Sequence, residues 1–205
     1  MNGRGRRRFG PVQTSVGVGT RACSGVAARG VAVLRSGSVA YDVRAERADP
    51  RPLAAIRATT TRQQLGHDII ALLNLIWPVL REQRVRTGHN VVVYHGGTAQ
   101  ELTVDVGVEA LTDFVGRSSE PEGALEASGQ HGEIRPTATP SGEVATVAHY
   151  GEYSEMAGAY AALERWCQDN GRRPAGVNWE VYGDWDDDPA RRRTDVYFLL
   201  EASTG

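Results

Sequence analysis

The chain has 205 residues, of which 40% are hydrophobic and 23% charged, and a formal net charge of −2. That is enough for one domain to bury a core without staples. Its two cysteines, Cys23 and Cys167, exclude a disulfide framework and a multi-cysteine zinc site. The longest apolar run, residues 69–80, is broken by Asn74 and Pro78 and falls short of the ~20 residues that span a bilayer. The near-neutral charge hides a division. Residues 1–38 hold seven arginines and no Asp or Glu, which leaves 16 arginines against 25 acidic residues in 39–205, a net of −9.

Residues 1–38 also hold eight glycines and a single aromatic, Phe9. Such a segment cannot bury enough apolar area to offset its chain entropy and is expected to be disordered. Its basic run 4–8 would attract phosphates, yet no apolar h-region follows to make it a signal peptide. It reads as an N-terminal extension, and a cytoplasmic protein with no membrane association is expected. The ordered domain is expected over 39–205.

Residues 41–46 alternate like a strand, and Asp49-Pro50-Arg51-Pro52 signals a turn. Residues 53–60 then read as the partner strand of a hairpin. Leu65, Ile69, Leu72, Leu73, Ile76 and Leu80 recur at helical spacing, with Pro78 as a kink and Thr87-Gly88 as the stop. Residues 90–95 and 102–110 read as strands around the Gly96-Gly97 turn. The polar stretch 116–130 looks like a linker.

The pattern then recurs. Residues 133–139 and 143–149 are strands around Pro140-Ser141-Gly142. Met156, Tyr160, Leu163 and Cys167 space at 4, 3 and 4, which gives a second amphipathic helix ended by Asn170-Gly171. Residues 177–182 and 194–201 are the last strands, around a charged turn at 184–188. Asn90-Val-Val-Val-Tyr94 aligns with Asn178-Trp-Glu-Val-Tyr182, and Val104-Asp105-Val106 with Thr194-Asp195-Val196. The expected fold is therefore α+β: a pseudo-symmetric, duplicated strand-strand-helix-strand-strand repeat (41–110 and 131–201) with a central ligand cleft between the repeats.

One residue breaks the symmetry. Asn178, Glu180 and Tyr182 share a strand face, and Glu180 stands where the first repeat has Val92. A carboxylate there is either an exposed partner of an arginine such as Arg193 or a buried charge kept for a purpose. Tyr182 shares its face, and Tyr94, Tyr150, Tyr153, Trp185 and Tyr197 are candidate neighbours. Aromatic rings with one carboxylate suit a flat, lipophilic cation.

The segment Val147-Ala-His-Tyr150-Gly-Glu-Tyr153, the helix with Leu163-Glu-Arg-Trp166, then Trp179-Glu180-Val-Tyr182 and Thr194-Asp195-Val-Tyr197-Phe-Leu resemble the GyrI-like (gyrase-inhibitor-like, AraC effector-binding) domain, over roughly residues 41–201. The resemblance implies a duplicated fold with a cleft. It matches Glu180 to the family's pocket glutamate, and Tyr150 and Tyr182 to its pocket aromatics. It implies a stand-alone small-molecule binder, a sensor or sequestering module of multidrug type. Hydrolysis of cyclopropane-containing alkylating compounds is the alternative, with Glu180 as the catalytic group. Inhibition of gyrase through an acidic surface is third. The family's transcription factors carry a helix-turn-helix ahead of this domain; residues 1–38 cannot supply one, so direct DNA binding is not expected.

No other chemistry competes. His67, His89, His95, His131 and His149 show no HxH or HExxH spacing, and no metal or cofactor is expected. Cys167 reads as core. Asp184, Asp186, Asp187 and Asp188 lack calcium-loop spacing and read as a solvated turn beside Arg191–Arg193.

Overall fold

The computed structural model describes residues 41–98, 100–119 and 132–202. The expected disorder of 1–38 and most of the linker 116–130 lie outside these residues. The described chain forms β1 (Arg44–Ala48), β2 (Pro52–Thr60), α1 (Leu65–Glu82), β3 (Thr87–Gly97), β4 (Leu102–Ala110), β5 (Arg117–Ser119), β6 (Gly132–Ala138), β7 (Gly142–Tyr150), α2 (Ala157–Asp169), β8 (Pro174–Tyr182) and β9 (Arg193–Leu200). All strand pairs are antiparallel, in the order β1-β7-β9-β8-β3-β4-β2-β6-β5. With two helices on this sheet, the fold is α+β. Residues 117–119, expected in the linker, are strand β5.

The expected hairpin between β1 and β2 does not form. β1 pairs with β7, and β2 with β4 and β6. Their connection, residues 49–51, nevertheless joins strands six places apart in the sheet. Laid flat, six spacings are about 29 Å, while the four steps from Ala48 to Pro52 span at most ~14 Å. The sheet must therefore curl until its outer strands approach. Residues 139–141 make an equally short link between β6 and β7, also six places apart. The two links meet: the Thr139 amide donates to the Arg51 carbonyl at 3.0 Å, and the Arg51 amide to Thr139 Oγ1 at 2.9 Å.

Curling gives both sheet faces a core. On one face α1 buries Leu72, Ile76 and Leu80 against Val92, Val104 and Val106. α2 buries Ala159, Leu163 and Cys167 against Val147, Val196 and Phe198 on the same face. The other face closes on itself, with Leu53, Val91, Val93, Val144, Trp179 and Tyr197 in one cluster. Each fully buried Leu or Ile contributes about 2 kcal/mol.

The two helices end alike but on different residues. α2 stops at Gly171, φ 62°, with the Arg172 amide on the Cys167 carbonyl at 2.8 Å. α1 stops at Arg84, φ 55°, with the Val85 amide on the Leu80 carbonyl at 2.9 Å. These are left-handed caps that satisfy the last carbonyls. Thr87-Gly88, read as the end of α1, already lies in β3. Pro78 sits inside α1, which runs on to Glu82.

Candidate functional site

The middle of the sheet is the β3–β8 pair, in register Val92↔Glu180 and Tyr94↔Asn178. α1 packs over β2, β3 and β4, and α2 over β7 and β9. Glu180 thus lies on the helix-bearing face, between Val92 on β3 and Val196 on β9. It is 3% exposed. The alternation that placed it on one face with Tyr182 also buried it.

Three phenols satisfy the carboxylate. Tyr160, from α2, donates to Oε1 at 2.6 Å; Tyr94, from β3, donates to Oε2 at 3.0 Å; Tyr182 donates to Oε2 as well. Tyr160 Oη also lies 3.3 Å from Asn178 Oδ1. Tyr153 stands edge-on to Tyr182, centroids 5.5 Å apart at 81°. From α1, the Trp77 indole N–H donates to Asn90 Oδ1 at 3.2 Å. Among the described residues, no arginine or histidine forms an ion pair with Glu180.

The electrostatics follow. Burial pushes the Glu180 carboxyl above its ordinary value, and the hydrogen bonds from Tyr160, Tyr182 and Tyr94 offset this only in part. Burial and then the Glu180 charge push the phenols of Tyr94, Tyr160 and Tyr182 upward, so they remain neutral donors. Among the described residues no cation forms an ion pair with the acid, and the fields of His149 on Glu180 and of Arg62 on Tyr94 and Tyr160 oppose burial without cancelling it.

Of the other expected residues, Tyr150 is 54% exposed at the end of β7. Trp185 follows β8, with the Arg192 guanidinium 4.1 Å from its ring and its N–H 3.3 Å from Asp187 Oδ1. Tyr197 lies on the opposite sheet face, stacked on Trp179 at 5.0 Å. The structure therefore gathers Glu180, Tyr182 and Tyr94, with Tyr153 one ring away, and sets Tyr150, Trp185 and Tyr197 elsewhere. Arg193, the alternative partner for Glu180, pairs with Asp195 at 2.9 Å instead.

Sequence reasoning missed Tyr160 as a site residue. Its helical spacing with Met156, Leu163 and Cys167 marks an inward face, and the signal available was that one inward member carries a hydroxyl. Asp186 and Asp188 pair with Arg191 in the charged turn. Among the described residues no cluster of three His, Cys, Asp or Glu could hold a metal, and no helix is long and apolar enough to cross a membrane.

The fold is thus an α+β sheet with an acid buried under phenols on its helix-bearing face. The sequence profile of the GyrI-like small molecule binding domain matches residues 41–201, and the chain belongs to that family. No curated protein sequence matches it. The fold is similar to that of the EcmrR C-terminal domain, with 20% identity, TM-score 0.57, and 80% of this chain and 99% of that one covered. It is similar to the EcmrR chain in a complex with DNA, at 22% identity and TM-score 0.56, covering 80% of this chain and 58% of that chain. It also resembles SAV2435 bound to tetraphenylphosphonium, at 9% identity and TM-score 0.53, covering 78% and 94%.

Proposed function

We propose that this domain binds lipophilic, aromatic cations, with Glu180 as counter-charge and Tyr94, Tyr160, Tyr182 and Tyr153 as the aromatic lining. The cleft lies above β3 and β8, between α1 and α2, where two duplicated halves join. The duplication is supported by the strand order, since the run β1-β7-β9-β8 has the counterpart β6-β2-β4-β3 with the same succession of elements. The role is sensing or sequestering small molecules in the manner of a multidrug-type binder, without direct DNA contact, in the cytoplasm.

The observation that carries the reading is a buried carboxylate whose hydrogen-bond donors among the described residues are all neutral phenols. Burying a charge is costly unless something compensates it, and phenols supply hydrogen bonds but no opposite charge. A delocalised cation entering between the rings supplies that charge, together with cation–π attraction and apolar burial. The likeness of the fold to that of a protein bound to tetraphenylphosphonium points the same way.

The test is a fluorescence or calorimetric titration with tetraphenylphosphonium. Glu180→Gln keeps shape and removes charge, and its affinity is expected to fall about 100-fold, consistent with ~2–5 kcal/mol for breaking a buried charge pair. Equal affinity in the variant would sink the counter-charge role. The raised Glu180 carboxyl beside three hydroxyl donors also suits a general acid, and incubation with a cyclopropane-containing alkylating compound separates the two readings. Ring-opened product formed over many turnovers favours hydrolysis, and stoichiometric binding favours the receptor.

A further inference from the structure

Thr194, on β9, is 1% exposed. Its register partners are Tyr182 on β8 and His149 on β7. Those pairings put it on the face that carries Glu180, two residues along β9 from Val196, the partner of Glu180. Among the described residues, its hydroxyl Oγ1 has no hydrogen-bond partner.

The polar side chains opposite it are engaged elsewhere and do not reach it. The Tyr182 hydroxyl donates to Glu180. The His149 ring is held at both nitrogens, Nε2 lying 3.1 Å from the Glu152 carbonyl and Nδ1 2.8 Å from Tyr41 Oη. A carbonyl only accepts, so Nε2 carries the proton and Nδ1 accepts from Tyr41. A buried hydroxyl without a partner costs free energy. Valine would fill the same volume without that cost, so packing alone does not account for a threonine here.

We propose that Thr194 is a second, uncharged anchor of the ligand site, hydrogen-bonding a hydroxyl, ether or carbonyl group on the bound cation. This rests on the reading of Glu180 as the counter-charge. Glu180 and Thr194 are diagonal neighbours on adjacent strands, with Cα atoms about 7–8 Å apart. The pair thus measures the distance between a ligand's cationic centre and its polar group, roughly one aromatic ring. A site with Glu180 alone would accept any lipophilic cation; one with Thr194 as well selects those bearing oxygen at that spacing.

The experiment compares tetraphenylphosphonium with the ortho, meta and para isomers of (hydroxyphenyl)triphenylphosphonium. One isomer is expected to bind wild-type protein about fivefold more tightly than the parent cation, the worth of one net hydrogen bond. Thr194→Val abolishes that gain, so that the isomer and the parent cation bind the variant alike, while Thr194→Ser keeps the gain. Survival of the gain in Thr194→Val overturns the proposal. So does the absence of any gain in wild-type protein, which would mean that solvent water alone satisfies the hydroxyl. Failure of the parent cation itself to bind is a separate result: it overturns the reading of Glu180, and the proposal with it.

Discussion

Asp105 and Glu180 are both acids buried mid-strand, on opposite faces of one sheet. Their neighbours differ in charge. Asp105 accepts from Arg57 Nε at 2.8 Å and Nη2 at 2.7 Å, with His95 Nε2 also at 2.7 Å. Burial pushes its carboxyl up, but the hydrogen bonds from Arg57 and His95 outweigh burial and hold it below the ordinary value. Glu180 receives as many hydrogen bonds, all from phenols, and burial wins. The lesson is that hydrogen bonding alone does not complete a buried charge. Asp105 is paired with an arginine and a histidine, whereas Glu180 has hydrogen bonds but no ion pair among the described residues, which is the gap the proposed cationic ligand would fill.

The widest gap between the two acids opens when pH is varied during ligand binding. The Glu180 carboxyl, raised in the free protein, must lose its proton to act as a counter-charge. Tetraphenylphosphonium affinity is therefore expected to rise with pH, about tenfold per unit below the Glu180 value, and to level off above it. Binding in the rising part releases a proton, which calorimetry in buffers of different ionisation enthalpy detects. Glu180→Gln flattens the profile, and Asp105→Asn leaves it intact. A pH-independent wild-type affinity would break the comparison.

Stability separates the acids with opposite signs. A depressed carboxyl adds stability above the ordinary carboxylate value and loses it as pH falls through the folded value. That is the case of Asp105. A raised carboxyl does the reverse: the unfolded chain gives up its proton first, so stability falls as pH climbs from the ordinary carboxylate value to the folded one. That is the case of Glu180. At neutral pH, Asp105→Asn is expected to cost ~2 kcal/mol, the lower part of the charged hydrogen-bond range because Arg57 is half-exposed. Glu180→Gln is expected to keep or raise stability. Urea titrations across the acid range measure both, and a destabilised Glu180→Gln with a neutral Asp105→Asn would reverse the assignment.

What could be read from sequence depended on how local the cause was. Period-two alternation placed Glu180 and Tyr182 together, and helical spacing marked both helices. The α2 stop was legible because Gly171 takes the left-handed cap; the α1 stop was not, because Arg84 takes the same conformation with no sequence mark. The β1–β2 hairpin was misread because a good turn signal says nothing about a strand's partner, and here β1 crosses to β7 of the other half while β2 stays beside β4 of its own. The same limit explains the site. Tyr94 and Tyr182 follow from strand pairing across Val92↔Glu180, while Tyr160 depends on how α2 seats over the sheet. Tyr197 looked aromatic and near, but its odd position on β9 turns it to the other face.

Tyr160 and Tyr197 therefore make the finest test of the comparison. Tyr160→Phe keeps the ring against Phe198, 5.7 Å away, and removes one donor to Glu180. Losing one hydrogen bond to the carboxylate would move the Glu180 value further up. The rise in phosphonium affinity is expected to shift to higher pH, while the level above it stays within about twofold. Tyr197→Phe removes a hydroxyl from the opposite face, where it touches Trp179 rather than the acid, and is expected to leave the profile in place. Equal shifts in both variants would mean that the profile reports general loosening of the sheet rather than the donors on Glu180. A shift confined to Tyr160→Phe ties the pH dependence to the phenols, and so to an acid that has no ion pair among the described residues.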